Sequence, residues 1–309
     1  MSRSSPESDP PHILCAGGAV QDIVMRVERF PDPGTKVPAS EFLITSGGQA
    51  GNAAVAIARL SGQVDFAGPM GAQDDEFANR IINILLSENI DCKGAVRVPG
   101  ATTSVSLILV DAEGEKMIAT RRDQGMDAAI PHNPELAVAA VDAVLLDNRY
   151  PNFVMPICEA AQKRNIPRVL DLDRAAPLDD PLVLASTHVI SSAEALRGTT
   201  GLDDLQAALK KVGQHFKGFL AFTDGPRGVY WLQDGKVRHM SAFKVKAIDT
   251  LGAGDVFHGA FTFRLVETGD VVDAMRFAGA AAAIKCTRFG GLMGAATRAE
   301  VDQFLMDAG

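Results

Sequence analysis

Two acids, Asp249 and Asp255, flank the segment Thr250-Leu251-Gly252-Ala253-Gly254. The run Gly252-Ala253-Gly254 has almost no side chain, and the apolar pattern from Val256 to Phe261 reads as the start of a helix. A small-residue turn that feeds a helix leaves backbone N–H groups unpaired and pointing outward, where they bind anions. An acid beside such a nest takes a proton from an attacking hydroxyl while the nest holds the charge that develops on a phosphoryl group. The spacing therefore points to phosphoryl transfer. The competing reading is a glycine-rich strand-to-helix turn with an acid as its cap.

Other residues carry compatible chemistry. Thr223, Gly225 and Gly228 follow the apolar run Phe219–Phe222. Glycines let backbone turn tightly near a ligand and the threonine hydroxyl can bond a phosphate, although a hairpin turn has the same pattern. Gly47, Gly48 and Asn52 precede the helical pattern that ends at Leu60. The glycines allow backbone to approach a hydroxylated substrate, and Asn52 offers both donor and acceptor. Asp22 ends a strand pattern and is either a ligand for sugar hydroxyls or an exposed turn acid. Arg149 and Arg174 follow the apolar runs Val141–Leu146 and Val169–Leu172. Ligands of open parallel sheets bind beyond the carboxyl ends of strands. Arg121 and Arg122 end a hairpin pattern. Each arginine either holds an anionic group, through charge-assisted bonds of about 1.5–3 kcal/mol, or is a surface charge. Glu194, three residues after Ser191, either holds Mg²⁺ through water or is a first-turn helix acid. The Ser46–Asn52 loop lacks the dinucleotide fingerprint, and no Gly-x4-Gly-Lys-Ser/Thr phosphate loop occurs in the chain.

Elements that could position these residues follow from periodicity. Short apolar runs at His12–Ala16, Val64–Ala67, Val141–Leu146, Val169–Leu172, Val189–Ile190 and Phe219–Phe222 alternate with helical patterns. That alternation predicts a mainly parallel sheet covered on both faces. Two stretches, Ile23–Ser46 and Ala101–Thr120, carry strand-like alternation with no helix between. They predict a small separate sheet, placed to act as a lid. The run Ala278–Ala283 is nearly all alanine and suits close packing on a neighbouring element or on a flat ligand.

A length of 309 residues with 47% hydrophobic content suits one large α/β domain with a small appendage. A net charge of -8, without a basic stripe interleaved with aromatics, argues against nucleic-acid binding. The four cysteines form no Cys-x-x-Cys pair, which suggests reduced thiols in a cytoplasmic protein. No apolar run reaches the ~18 residues of a membrane span. Residues 1–11 are polar and proline-rich and are expected to form a disordered tail, not a signal peptide.

Together, Gly47-Gly48 with Asn52, Thr223-x-Gly225-x-x-Gly228, and Asp249-Thr-x-Gly252-Ala253-Gly254-Asp255 occur in the order and spacing of the ribokinase-like, or PfkB, carbohydrate kinases. The chain resembles that family from about residue 12 to its end. The resemblance implies a three-layer α/β/α core over residues 12–309, with lid segments at about 23–46 and 101–122. It implies ATP as phosphoryl donor, Mg²⁺, and a homodimer clasped through the lid. Asp255 matches the family's base, and Gly252, Ala253 and Gly254 its anion hole. Asp22, Gly48 and Asn52 match sugar-binding positions; Thr223, Gly225 and Gly228 match the nucleotide side, where Arg174 is a further candidate. Asp249 matches a position used by members that need a monovalent cation such as K⁺. Glu194 keeps the family's Mg²⁺-linked acid, but Ser191 stands where asparagine is usual and is shorter.

Within the family the chain looks most like kinases that convert 6-deoxy-6-sulfofructose to its 1-phosphate. The likeness lies in Gln63–Ala67, Phe243–Lys246, Asp255–Ala260, Arg276–Ala278, Ile284–Arg288 and Gly290-Gly291. It implies an anionic sugar held by Arg149, with Thr120 and Arg121 nearby. Thr120 stands where such a pocket would carry asparagine. Fructose, ribose and 2-keto-3-deoxygluconate are alternative sugars, and a nucleoside is a more distant one.

Overall fold

The computed structural model describes residues 9–308. Most of the expected N-terminal tail lies outside them. The chain is already anchored at Pro11, whose carbonyl accepts from Gln63 N–H at 2.9 Å.

Among the described residues thirteen strands form. They are β1 (His12–Ala16), β2 (Val20–Val27), β3 (Ala39–Gly47), β4 (Gln63–Met70), β5 (Asp91–Arg97), β6 (Val105–Val110), β7 (Lys116–Arg121), β8 (Ala143–Asp147), β9 (Arg168–Leu172), β10 (His188–Ser192), β11 (Phe219–Thr223), β12 (Val229–Gln233) and β13 (Lys236–Met240). The helices are α1 (Gln49–Arg59), α2 (Glu76–Ser87), α3 (Pro134–Ala137), α4 (Pro151–Lys163), α5 (Pro181–Ala185), α6 (Ala193–Thr200), α7 (Leu205–Gly213), α8 (Ala253–Thr268), α9 (Val271–Cys286) and α10 (Arg298–Asp307). Among the described residues, no helix is long and apolar enough to cross a membrane.

The large sheet has nine strands in the order β13-β12-β11-β10-β9-β8-β1-β4-β5. From β11 to β5 every ladder is parallel. Strands β12 and β13 add antiparallel at one end. The central strands are buried on both faces, so they read as unbroken apolar runs rather than alternating ones. Ile13 and Cys15 face one core, with α1, α8 and α9. Leu14 and Ala16 face the other, with α4 and α7. Two edge strands, β5 and β13, carry no apolar run and were not foreseen from the sequence. Their polar residues sit on exposed edges, where little burial marks the pattern.

Helix α8 is apolar on all sides because α1 and α9 cover it. Most alanines of α9 are buried, and the helix packs closely on α8. Gly259 sets the approach of α1: a Cβ there would lie 2.7 Å from the Ala53 carbonyl oxygen. Glycine is a poor helix former, so its presence in mid-helix reflects this contact.

The second sheet has the order β3-β2-β6-β7 and matches the expected lid, beginning at Val20 rather than Ile23. Registers align Thr45, Asp22, Ser106 and Thr120 across one face. On the same face Val24, Ile108 and Val110 pack against Leu251, with Leu43 and Phe289 beside them. The lid therefore rests on the segment that leads into α8.

Gly259→Ala is expected to lower stability by about 1–3 kcal/mol in urea denaturation, despite the ~1 kcal/mol helix advantage of alanine. A gain in stability would contradict the close crossing of α1 and α8.

Candidate active site

Strands β1 and β8 are neighbours, and the chain leaving β1 next rejoins the sheet at β4 on one side while that leaving β8 rejoins it at β9 on the other. The crevice beyond the carboxyl ends at such a point is where open α/β sheets bind ligands. Asp147, the last residue of β8, ties that crevice together. It is 1% exposed. Its Oδ2 accepts from the N–H groups of Gly18 at 2.7 Å and Ala50 at 3.3 Å. Its Oδ1 accepts from Arg149 N–H at 2.9 Å. A Cβ at Gly17 would lie 2.1 Å from Oδ2, so glycine is required for this contact. Burial raises the Asp147 carboxyl, and the three N–H bonds oppose it. Sequence reading passed over Asp147; the available signal was a single acid closing an apolar strand run.

Two helix N-termini meet at the crevice. Gly48 precedes α1 with φ 84°, and a Cβ there would lie 2.6 Å from the Gly18 carbonyl oxygen. Gly252 precedes α8 with φ 74° in the left-handed region. Gly254, in the first turn of α8, faces open space. Asn52 Nδ2 donates to Asp255 Oδ2 at 2.6 Å, joining the first turns of both helices. The atoms Asn52 Oδ1, Gln49 Nε2, Ser46 Oγ and Thr45 Oγ1 are buried without a hydrogen-bond partner. A cluster of unpaired polar atoms in one short segment suits a ligand rich in hydroxyls. Asp22, on the lid face above, is buried. Burial first, then the charge of Asp255, push its carboxyl up to about 7 against a bond from Ser106.

Further acids line the carboxyl ends of the neighbouring strands. Asp173 is exposed just past the carboxyl end of β9. Partial desolvation, Asp255 and Glu194 push it up to about 6, with Lys116 and Arg149 opposing. Asp171 is buried and is raised well above the usual carboxylate range, mainly by desolvation and then by Asp255. His258 lies beneath the first turn of α8, its Nδ1 2.7 Å from the Gly254 carbonyl and 3.4 Å from Asp171 Oδ2. Its Nε2 is 3.2 Å from the Ile190 carbonyl. Burial lowers its imidazole below the ordinary value. Asp171, Asp173 and His258 were not foreseen. Glu194 is exposed in the first turn of α6, while Ser191 is buried with its hydroxyl turned to the Ser192 carbonyl at 3.1 Å. Among the described residues no three His, Cys, Asp or Glu side chains are placed to hold a metal ion directly. Mutually repelling carboxylates at Asp173, Glu194 and Asp255 nevertheless fit Mg²⁺, which keeps several waters and binds through few carboxylates and substrate phosphates.

On the far side, Thr223 ends β11 half-buried. Gly225 has φ 50° and open space around it. Gly228 has φ 97°, and a Cβ there would lie 2.1 Å from the Met240 carbonyl oxygen. Its requirement for glycine is thus met by packing against the end of β13. Arg227 bonds both oxygens of Asp224 at 2.6 Å and stiffens the turn. Arg174 is exposed, and its carbonyl accepts from Asn148 Nδ2 at 2.8 Å.

The other arginines separate clearly. The stem of Arg149 lies over Gly18, 3.3 Å from where a Cβ would be. Among the described residues its guanidinium makes no hydrogen bond or ion pair; only its backbone N–H is engaged. Thr120 shares the inner lid face with Asp22, its hydroxyl 3.0 Å from that of Ser106. Arg121, one residue on, faces the opposite side of the strand and lies 3.7 Å from Asp123. The pleat thus turns it away from the crevice, contrary to its expected place in the pocket. Arg122 turns inward, pairs with Asp127 and lies over the Tyr150 ring at 5.3 Å. Asp249 is buried behind the loop, not in the crevice. Its carboxylate accepts from the N–H groups of Leu251, Gly290 and Gly291 and lies 3.2 Å from Lys285 Nζ.

Comparison with known proteins bears on the family and the fold. The sequence profile described as pfkB family carbohydrate kinase matches residues 10–297. The ribokinase of Haemophilus influenzae is 31% identical over 301 residues, covering 94% of this chain and 97% of its own. A provisionally assigned ribokinase of Agrobacterium tumefaciens superposes with a TM-score of 0.92 at 34% identity, covering 97% of this chain and 98% of its own. An Arabidopsis thaliana ribokinase, complexed with ribose and ATP, shares the fold with a TM-score of 0.81 at 23% identity, covering 96% of this chain and 98% of its own.

Asp22 gives a pH test. Its folded value, about 7, lies above the ordinary 3.8, so the native state holds the proton more tightly than the unfolded chain. Its contribution to stability is therefore full below about pH 4 and is lost as pH rises through about 7. Asp22→Asn is expected to gain stability relative to the parent between pH 5 and pH 8, read from denaturant midpoints. A pH-independent difference would contradict the raised carboxyl.

Proposed function

The chain is a member of the pfkB family of carbohydrate kinases, an ATP-dependent sugar kinase, and we propose that it phosphorylates a primary hydroxyl of a ketose with an anionic far end. The candidate is 6-deoxy-6-sulfofructose, converted to its 1-phosphate. The observation that carries this reading is Arg149, whose guanidinium makes no hydrogen bond or ion pair among the described residues and whose stem packs on Gly18, the residue that Gly48 closely approaches. A sulfonate or similar anion there would gain a charge-assisted bond that a neutral sugar cannot form.

In this mechanism the sugar lies under the lid, against Asp22, Gly48 and Asn52. The unpaired atoms of Thr45, Ser46, Gln49 and Asn52 receive its hydroxyls. Its O1 hydroxyl points at Asp255, which Asn52 holds in place. Asp255 takes the hydroxyl proton as the oxygen attacks the γ-phosphorus and the bond to the ADP oxygen breaks. The amides of Gly252, Ala253 and Gly254 hold charge on the transferring group, so positioning and electrostatics supply most of the acceleration. Thr223, Gly225 and Arg174 border the nucleotide. Glu194 and Asp173 would hold Mg²⁺ through water, and the ion would supply neutralisation of phosphate charge.

The ribokinase names of the relatives favour a second reading, a neutral pentose such as ribose. Comparing kcat/KM for 6-deoxy-6-sulfofructose, fructose and ribose decides between them.

A dimer through the lid also belongs to this proposal. On the face opposite Asp22, Phe42, Met25, Leu109 and Met117 align in register, with Ile44, Ile23, Leu107 and Ala119 beside them. Phe42 is 60% exposed. An apolar sheet face of this extent suits the same face of a second copy. The unpaired thiols of the described cysteines fit a reducing, cytoplasmic setting.

Asp255→Asn is expected to cut kcat by about 10²–10⁴-fold with an intact fold; near-normal turnover would remove Asp255 from the base role. Arg149→Ala should raise KM for the sulfonated sugar by roughly 10–100-fold, corresponding to the loss of one charge-assisted bond, and leave KM for fructose nearly unchanged. Equal effects on both sugars would show that the arginine does not read an anion. Phe42→Glu should convert a dimer to a monomer in light scattering, and an unchanged mass would rule out the lid contact.

A further inference from the structure

Family resemblance places a monovalent cation such as K⁺ at Asp249, and the residues of this chain do not fit one. Lys285, in the last turn of α9, is 0% exposed. Its Nζ donates to the Asp249 carbonyl at 2.7 Å and lies 3.2 Å from Asp249 Oδ2. These are the two oxygens of Asp249 that would attract an inorganic ion into this pocket. A tethered ammonium already sits on them. A second cation at the same oxygens would meet a like charge in a buried setting, where repulsion is weakly screened.

We propose that Lys285 is a built-in replacement for the monovalent cation, and that its ammonium positions the phosphoryl-binding loop without help from K⁺. The geometry shows how the charge acts at a distance. Asp249 is three residues before Gly252, the residue that turns into α8. Its Oδ1 takes the Leu251 N–H at 2.8 Å, and its Oδ2 takes those of Gly290 and Gly291 at 3.0 and 3.1 Å. The N–H groups of Ile248 and Asp249 both bond the Cys286 carbonyl, at 2.7 and 3.2 Å. Lys285 thus balances the one charged group on which the start of the loop, the end of α9 and the 290–291 turn converge. A buried carboxylate without its cation would be strongly disfavoured, so the loop would be expected to shift if the ammonium were removed. Burial lowers the Lys285 ammonium and Asp249 opposes that shift. Lys285 touches no reacting atom in this scheme; it acts through Asp249 on Gly252–Gly254.

The inference rests on the reading of residues 249–255 as the phosphoryl-binding loop, so its test has one readout that needs no catalysis. The parent enzyme is assayed in tetramethylammonium chloride and in KCl at equal ionic strength. Its kcat and its melting temperature are expected to agree between the two salts, the latter within about 1 °C, since no site is gained by K⁺. A severalfold activation by K⁺, or a clear K⁺-specific rise in melting temperature, would overturn the proposal. Lys285→Met is expected to lose about 10–100-fold in kcat with a smaller change in KM, as misplacement of remote groups does. In that variant K⁺ should raise the melting temperature and restore part of kcat, a response that loss of packing alone would not produce. Full activity of Lys285→Met, or a loss indifferent to K⁺, would refute the positioning role. If Lys285→Met does not fold, the parent comparison alone decides. If no sugar kinase activity is found, the melting temperatures still score the cation site while the functional reading fails separately.

Discussion

The contact between Asn52 Nδ2 and Asp255 Oδ2, 2.6 Å long, joins the N-termini of α1 and α8, and the rest of the site is arranged around it. Each helix end carries partial positive charge and unpaired N–H groups. Bringing two such ends together makes a strong anion site, but only if both helices are held at close range. Gly259 permits the close crossing of the two helices, and Gly48 lets the start of α1 sit against the turn after β1. Asp147 fixes the turn after β1, the start of α1 and the turn after β8 to one another. These residues make one connected frame, and few substitutions within it would be silent.

Concentrated negative charge is the counterpart of that frame. Asp22, Asp171 and Asp173 all have their carboxyls pushed upward, each by desolvation first and then by Asp255. Such crowding is costly in a resting protein and is typical of sites that work on cations, protons or metal-bound phosphates. Arg149 and Lys116 oppose it at Asp173. The lid contributes from above with one polar row beside Asp22 and an apolar patch on Leu251, so its inner face meets both the crevice and the loop before α8.

Much of this was legible in the sequence because it is local. The central strands, the hairpin of the second sheet and the glycine-rich turns depend on periodicity and on nearest neighbours, and the structure forms them. Asp147 was not legible, because its importance comes from three N–H groups that only the fold assembles. Arg121 and Arg122 could not be told apart without the register of β7, which turns one outward and the other toward Tyr150. Lys285 resembles an ordinary basic residue in the last turn of a helix, where a cation is favourable anyway. Only its burial against Asp249 distinguishes it. Gly228 was legible as a constrained turn, yet its constraint is contact with Met240.

The central claim is that Asn52 and Asp255 act as one unit in phosphoryl transfer. A double-mutant cycle with Asn52→Ala and Asp255→Asn, measured as kcat at saturating sugar and ATP, tests it most directly. Residues that act as a unit are strongly non-additive, so the double variant should be within about threefold of Asp255→Asn alone. A double variant slowed by the product of the two single effects would show that the residues act independently and would contradict the account.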